Sequence, residues 1–159
     1  MSFQEYEDAL AVVIERLNPI FNSWDFNFEF DGVHGSHTGF YARGRYVRGA
    51  TLVWICCRQT LDNVSYEHSF ITQYMYTKQI ESYRIGHHGL THSLGHSEDC
   101  QLIDKFMYPS GLVARDGGDP VTAYIYDLTN IAADVLSGPN ETFYAIVRQG
   151  ARGLNFESS

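Results

Sequence analysis

Arginine residues are concentrated in one part of the 159-residue chain and could bind an anion. Arg43 and Arg45 lie two residues apart in a segment with strand character, so both side chains project to one face. Arg48 and Arg58 follow closely. A guanidinium group holds carboxylates and phosphates through paired hydrogen bonds, which favours an anion clamp. The alternative is cross-strand ion pairing, which contributes little energy at an exposed site. The acidic residues available for such pairs are Asp25, Glu29 and Asp31.

Histidines form a second candidate site, in the stretch RIGHHGLTHSLGHSEDC. His88, His92, His96 and Cys100 recur every four residues, and on an unbroken helix two or three of them could ligate zinc or a first-row metal. Three interspersed glycines argue against that helix, because each costs about 1 kcal/mol relative to Ala. The sequence therefore predicts a flexible polar loop over residues 84–97 and no structural metal. Metal binding and a metal-free catalytic histidine are the alternatives.

The segment after Arg58 adds Tyr66 and His68 to the candidate residues. A histidine near Arg43 and Arg45 could act as an acid or base on a bound anion, and His68 is the best placed of them in the sequence. Two adjacent cysteines lie in a very apolar strand, where thiols are usually inert. Nucleophilic catalysis thus has candidate residues but no sequence signature, the catalytic residues stay unknown, and no cofactor is predicted.

The elements that must position these residues begin with a helix over 3–18, which opens on the capping-box spacing of SFQE and ends near Pro19. Next, DFNFEFD alternates aromatic and polar residues as a half-buried strand does. The segments FYARGRYV, TLVWICCRQ and NVSYEHSF complete a four-stranded antiparallel meander over 25–68. Phe26, Phe28 and Phe30 are expected to pack against a later helix.

Residues 70–150 are predicted to form the helical half of the protein. A loosely periodic helix covers 71–80, a second begins EDCQLIDKFM, and a third covers 120–136 with Asp119 as N-cap and Pro120 in its first turn. A last helix, ETFYAIVRQ, precedes a frayed tail at 151–159. The predicted fold is one α+β domain over 1–159, with C-terminal helices on one face of the sheet.

Composition limits the classes of partner. With 44% hydrophobic and 19% charged residues the chain is globular, and no apolar run is long enough to span a membrane. The formal net charge of −8 disfavours nucleic acid and favours a basic rather than an acidic protein partner. Three cysteines without a paired framework, and an acidic N-terminus, predict a cytoplasmic location.

The segment GFYARGRYVRGATLVWICCRQTLDNVSYEH resembles small bacterial proteins of uncharacterised function. In those proteins a G-x-[FY]-x-R strand leads to an apolar strand ending in Arg, an L-x-x-V-x-Y strand and a helix with a late glycine stop. The matching stretches here are 44–48, 52–58, 61–66 and 127–138. The resemblance implies one α+β domain and brings no catalytic residues. In size and acidity the chain also resembles immunity proteins that neutralise toxins.

Together these observations predict a non-catalytic, protein-binding role of the immunity or regulatory type. Its surface would be either acidic or rich in Tyr and Arg. The alternatives are a small-anion-binding protein or enzyme that uses Arg43 and Arg45 with a nearby histidine, and a metal-binding histidine loop. Self-assembly into a homo-oligomer is also left open.

Overall fold

An antiparallel sheet of five strands in the order β1-β2-β3-β4-β5 forms the centre of the structure, a computed structural model that describes residues 3–36, 39–57, 70–78, 80–104 and 112–154. A helix precedes the sheet and further helices follow it, so the predicted α+β class with an N-terminal helix and C-terminal helices on the sheet is confirmed. The strands of this sheet are β1 (Asn27–Ser36), β2 (Gly39–Arg48), β3 (Thr51–Cys57), β4 (Phe70–Lys78) and β5 (Glu81–Gly86).

The remaining elements follow the meander. Helix α1 precedes it, and α2 follows β5 directly. A two-stranded antiparallel sheet of β6 and β7 then leads to the C-terminal helices, with a π-helical segment between α3 and α4. The helices are α1 (Phe3–Ser23), α2 (His87–Ser93), α3 (Pro120–Asp127), α4 (Ala133–Leu136) and α5 (Asn140–Leu154); the π-helix is Leu128–Ala132, and the short strands are β6 (Leu102–Asp104) and β7 (Leu112–Ala114).

Burial alternates strictly along the central strands. On β3, Thr51, Val53, Ile55 and Cys57 are buried, and the residues between them are half-buried. Because side chains alternate between faces, the sheet has an inner face that forms the core and an outer face that is partly exposed. Helices α1, α3 and α5 pack on the inner face. The half-buried apolar residues of the outer face include Tyr41, Val47, Leu52, Trp54, Cys56, Ile71 and Met75.

The predicted count of four strands over 25–68 is wrong, because the sheet has five and its last two lie in the half predicted to be helical. The segment expected as a helix over 71–80 is β4, where Phe70, Thr72, Tyr74 and Tyr76 are buried at every second position. Aromatic and β-branched residues favour that arrangement. Most of NVSYEHSF, predicted as the fourth strand, lies outside the described residues.

Two further predictions in this half are wrong. Residues 84–97 are not a flexible polar loop, because β5 runs to Gly86 and α2 follows it with His87 and Leu90 buried. Of the three glycines in this stretch only Gly89 lies within α2, and burial of His87 and Leu90 stabilises the helix despite it. The helix predicted from Glu98 is absent over the described residues 98–104, which form a turn and β6.

Helix α1 does not end near Pro19 but continues to Ser23. Leu17 and Phe21 are fully buried, and this burial offsets the backbone hydrogen bond that a proline removes from a helix interior. At the other end of the chain, α5 extends to Leu154, so the predicted tail begins at least four residues too early; residues 155–159 lie outside the described part. The predicted N-cap of α3 is confirmed, since Asp119 Oδ1 accepts a hydrogen bond from the Val121 amide at 3.0 Å.

Phe26, which directly precedes β1, and Phe28 and Phe30 of β1 lie against α1 and not against the helix at 120–136, which corrects the prediction. Phe26 is 1% exposed and its ring centre lies 5.5 Å from that of Phe21. Phe28 is half-buried, whereas Phe30 is 49% exposed. Helix α1 directly precedes the edge strand β1 and folds back over it, while α3 reaches β4 instead, where Tyr124 contacts Phe70.

Among the helices that the structure describes, none is both long and apolar enough to cross a membrane.

Candidate functional site

The outer face of β1 to β3 holds Arg43 and Arg45, which the structure brings together as predicted from their spacing. Arg43 Nη2 lies 2.6 Å from Asp31 Oδ2, and Arg45 Nε donates to Glu29 Oε1 at 3.0 Å. Both guanidinium groups also lie over the Trp54 ring, with Cζ atoms 4.6 and 5.1 Å from its centre. The cross-strand ion pairs offset the positive charge of both guanidinium groups, so an external anion would compete with Asp31 and Glu29 for them.

Asp31 is the acidic centre of this cluster. It sits at a bulge between Phe30 and Gly32, where Gly32 adopts a positive φ of 110°. His34 Nε2 lies 3.1 Å from its Oδ2 atom, opposite Arg43. Burial raises the pKa of the Asp31 carboxyl, but the hydrogen bond and charge of Arg43, with a smaller effect of His34, outweigh it and hold the pKa below its ordinary value.

Arg48 does not belong to this cluster, because it lies on the inner face at the end of β2. Its guanidinium donates to the carbonyl oxygens of Trp24 at 3.0 Å and Leu136 at 2.5 Å, and to Asn140 Oδ1 at 2.9 Å. It thereby joins the ends of α1, α4 and α5, which is a structural role. Arg58, Tyr66 and His68, the other predicted binding residues, lie outside the described part of the chain.

The histidines of the metal-binding alternative, His88, His92 and His96, do not lie around one point with Cys100. His88 and His92 are exposed on α2 with stacked rings whose centres are 6.1 Å apart. His96 pairs instead with Asp99 at 3.1 Å, and the Cys100 thiol is buried and donates to the Ser97 carbonyl. No group of three or more metal-ligating side chains occurs within the described ranges. Cys57, at the end of β3, is also buried, and this burial raises the pKa of its thiol.

A buried chain of polar side chains, which sequence reasoning missed, crosses the core between β4, α2 and α3. His87 Nε2 lies 2.8 Å from Asp127 Oδ2, and its Nδ1 lies 2.8 Å from Tyr74 Oη. The Tyr74 hydroxyl donates to Tyr124 at 3.1 Å, and Thr72 Oγ1 lies 3.2 Å from the Tyr124 oxygen. All five side chains are at most 3% exposed. We call these five residues the polar core chain.

Asp127 is the anchor of the polar core chain. Its carboxylate also accepts hydrogen bonds from the amides of Gln101 at 2.7 Å and Leu102 at 3.0 Å, which fixes the extended backbone that enters β6. Burial raises the pKa of the Tyr74 and Tyr124 hydroxyls, so they remain neutral donors. An Asp-His-hydroxyl arrangement can activate a nucleophile in an enzyme, but here every member is enclosed in the core, where its hydrogen bonds specify the packing of α2 and α3.

Comparison of the chain with protein-family models, with curated proteins and with solved structures finds no match.

A groove of about 520 Å³ lies between α1 and β1, and we call it the acidic groove. Its apolar side chains include Ile14 of the helix and Phe28 and Phe30 of the strand. The carboxylates of Glu7, Asp8 and Glu15 line it, and its lining contains no basic residue. Within the described part of the chain, no ion pair engages these three carboxylates.

The basic residue of α1, Arg16, pairs with an acidic residue outside the acidic groove. Arg16, the sole basic residue in the sequence of α1, binds Asp119 and donates to Thr122 Oγ1 at the start of α3. The acidic residues of α1 are visible in its sequence, yet their place beside Phe30 depends on α1 folding over β1 and not over β4. Periodicity alone did not indicate that choice, so the groove could not be predicted from the sequence.

Proposed function

We propose that this protein is a non-catalytic binding protein of the immunity or regulatory type, which engages a basic protein partner through the acidic groove. The observation that carries this proposal is the combination of an exposed aromatic side chain, Phe30, with three carboxylates that have no described ionic partner. Large apolar residues at the centre of a contact with charges around it are typical of protein interfaces. The net charge of −8 would also speed association with a basic partner.

Binding of a small anion by Arg43 and Arg45 has less support, because both guanidinium groups already pair with carboxylates. The enzyme alternative loses further support because the buried histidine-carboxylate pair of His87 and Asp127 is enclosed in the core. Binding of a protein partner requires neither a free arginine pair nor an accessible histidine, so these two observations do not count against the proposed function.

The test compares capture of partners from lysate of the cells in which the protein occurs. The wild type and two variants serve as bait: Glu7→Lys with Glu15→Lys in the groove, and Glu98→Lys as a matched control at an exposed carboxylate elsewhere. We expect a basic protein to be retained by the wild type and the control, to be lost from the groove variant, and to be released by salt because exposed ionic contacts are screened. Equal retention by all three baits would contradict the proposal.

A further inference from the structure

We infer that the acidic groove accepts an amphipathic helix that carries Lys or Arg on both sides of a narrow apolar stripe. This inference rests on the proposed function and adds the form of the partner segment.

The wall of the groove formed by α1 has the spacing of a helix-pairing surface. Five of the eight residues that α1 contributes to the lining, Gln4, Asp8, Ala11, Glu15 and Asn18, follow one another at intervals of four, three, four and three residues. That alternation keeps a stripe of side chains facing a neighbouring helix along the whole length of contact. From Gln4 to Asn18 the stripe is about 21 Å long, at 1.5 Å per residue, which matches a partner helix of about four turns.

The middle of this stripe is a small residue, and an acidic residue lies on each side of it. Ala11 is exposed at the centre, where the short side chain allows close approach of another helix, and Phe30 lies across the groove from it on β1. Asp8 and Glu15 flank Ala11 by three and four residues. An occupant would therefore place an apolar side chain near Ala11 and Phe30, and basic side chains near the two carboxylates.

An added β-strand fits the groove less well, although β1 is an edge strand of the described sheet. The bulge at Asp31 interrupts the regular edge after Phe30, and bulges of this kind hinder pairing with another strand. A second copy of this chain would bring the same three carboxylates toward the first, and like charges across an interface oppose association.

Two fluorescent peptides of about 18 residues test the inference, each made of the same numbers of Leu, Lys and Ala. One order places Leu on one face of a helix, and the other alternates Leu and Lys as in an amphipathic strand. We expect the helical order to bind the wild-type protein about tenfold more tightly or better. Glu7→Lys with Glu15→Lys should weaken it by roughly 2- to 30-fold, the range for two exposed ion pairs. Glu98→Lys should leave it unchanged.

A second variant tests the apolar contact. Phe30→Ala should weaken the helical peptide, whereas Ile80→Ala, at a side chain that is 99% exposed and outside the groove, should not. Equal or tighter binding of the strand order, or equal loss in the control variants, would overturn the helical occupant. Dimers seen by light scattering and abolished by Phe30→Ala would overturn it in favour of a second copy. If the lysate partner still depends on Glu7 and Glu15 while the helical peptide does not bind, the helical form is refuted and the proposed function stands.

Discussion

At the scale of single residues, the decisive feature is how each charged group is partnered. Asp127 is fully buried and accepts hydrogen bonds from two backbone amides while it pairs with His87. Arg43 and Arg45 neutralise carboxylates on the neighbouring strand. The carboxylates of Glu7 and Glu15 differ from these, since no described cation pairs with them. Asp127, Arg43 and Arg45 therefore hold elements of the fold together, whereas the carboxylates that line the acidic groove have no described cation beside them.

Removal of the Asp127 carboxylate tests the structural role of the polar core chain. Asp127→Ala leaves two backbone amides and His87 without their acceptor, so we expect the free energy of unfolding to fall by about 3–5 kcal/mol. Asp134→Ala, at an exposed carboxylate of α4, should change it by less than about 0.5 kcal/mol. Urea denaturation measures both. A fall of similar size in the two variants would show that the buried network contributes nothing particular to stability.

The lowered pKa of Asp31 predicts a pH dependence of stability. Because the folded protein holds this pKa below the unfolded value of about 3.9, the carboxylate stabilises the fold above that pH. The contribution is lost as the pH falls through the lower, folded value. We therefore expect wild type to exceed Asp31→Asn in unfolding free energy at neutral pH, and the difference to shrink in acid. Denaturation curves at several pH values measure it, with Glu98→Gln as the control. A difference that stays constant with pH would refute the assignment.

The histidines of α2 lead to a prediction about metal. A structural zinc site contributes its binding energy to folding, so removal of the ion unfolds a protein that depends on it. We expect EDTA to leave the thermal midpoint unchanged and elemental analysis to find less than one metal ion per chain. Near-stoichiometric zinc that is lost, with stability, when His88, His92 and His96 are replaced by Ala would establish the metal-binding alternative.

At the scale of elements, the sequence predicted those whose pattern stands alone and missed those that the rest of the fold determines. The strict alternation around Phe26 and Phe28 predicted β1, and Asp119 with Pro120 predicted the start of α3. By contrast, β4 contains Met and Gln among its aromatic residues, and these also suit a helix. Its strand form depends on pairing with β3 and β5, which a single segment does not show.

Gly44 illustrates how two elements fit one another. A Cβ atom at this position would overlap the ring of Phe28 on the neighbouring strand. We expect Gly44→Ala to reduce the unfolding free energy by about 1–3 kcal/mol, the usual cost of overpacking. Phe28→Leu combined with Gly44→Ala should cost less than the sum of the two single changes, because the smaller side chain relieves the overlap.

Gly86→Ala provides the matched control for this prediction, since a Cβ atom there has no atom within 4 Å. Its unfolding free energy should stay within about 0.5 kcal/mol of wild type. Thermal or urea denaturation of the wild type, Gly44→Ala, Phe28→Leu and the double variant measures the coupling between the two positions. Strict additivity of the Gly44 and Phe28 changes would contradict the packing described here.

At the scale of the whole molecule, the fold determines which surface carries the excess of acidic residues. The sequence predicts a basic partner from the net charge of −8, but it does not say which surface would meet that partner. The structure directs Arg16 toward α3 and the Arg43–Arg45 cluster toward the outer face, and it leaves the acidic groove without basic residues. Long-range placement of α1 over β1 creates this separation, which is why neither composition nor local pattern could predict it.

Site-specific crosslinking in living cells tests the central claim most directly. A photo-crosslinking phenylalanine analogue at position 30 replaces a side chain that is 49% exposed in the acidic groove, and the same analogue at position 80 replaces one that is 99% exposed outside it. We predict that position 30 forms a covalent adduct with one basic protein, and that Glu7→Lys with Glu15→Lys abolishes the adduct. Position 80 should form none with that protein. An adduct with it that forms from position 80 and not from position 30 would contradict the account.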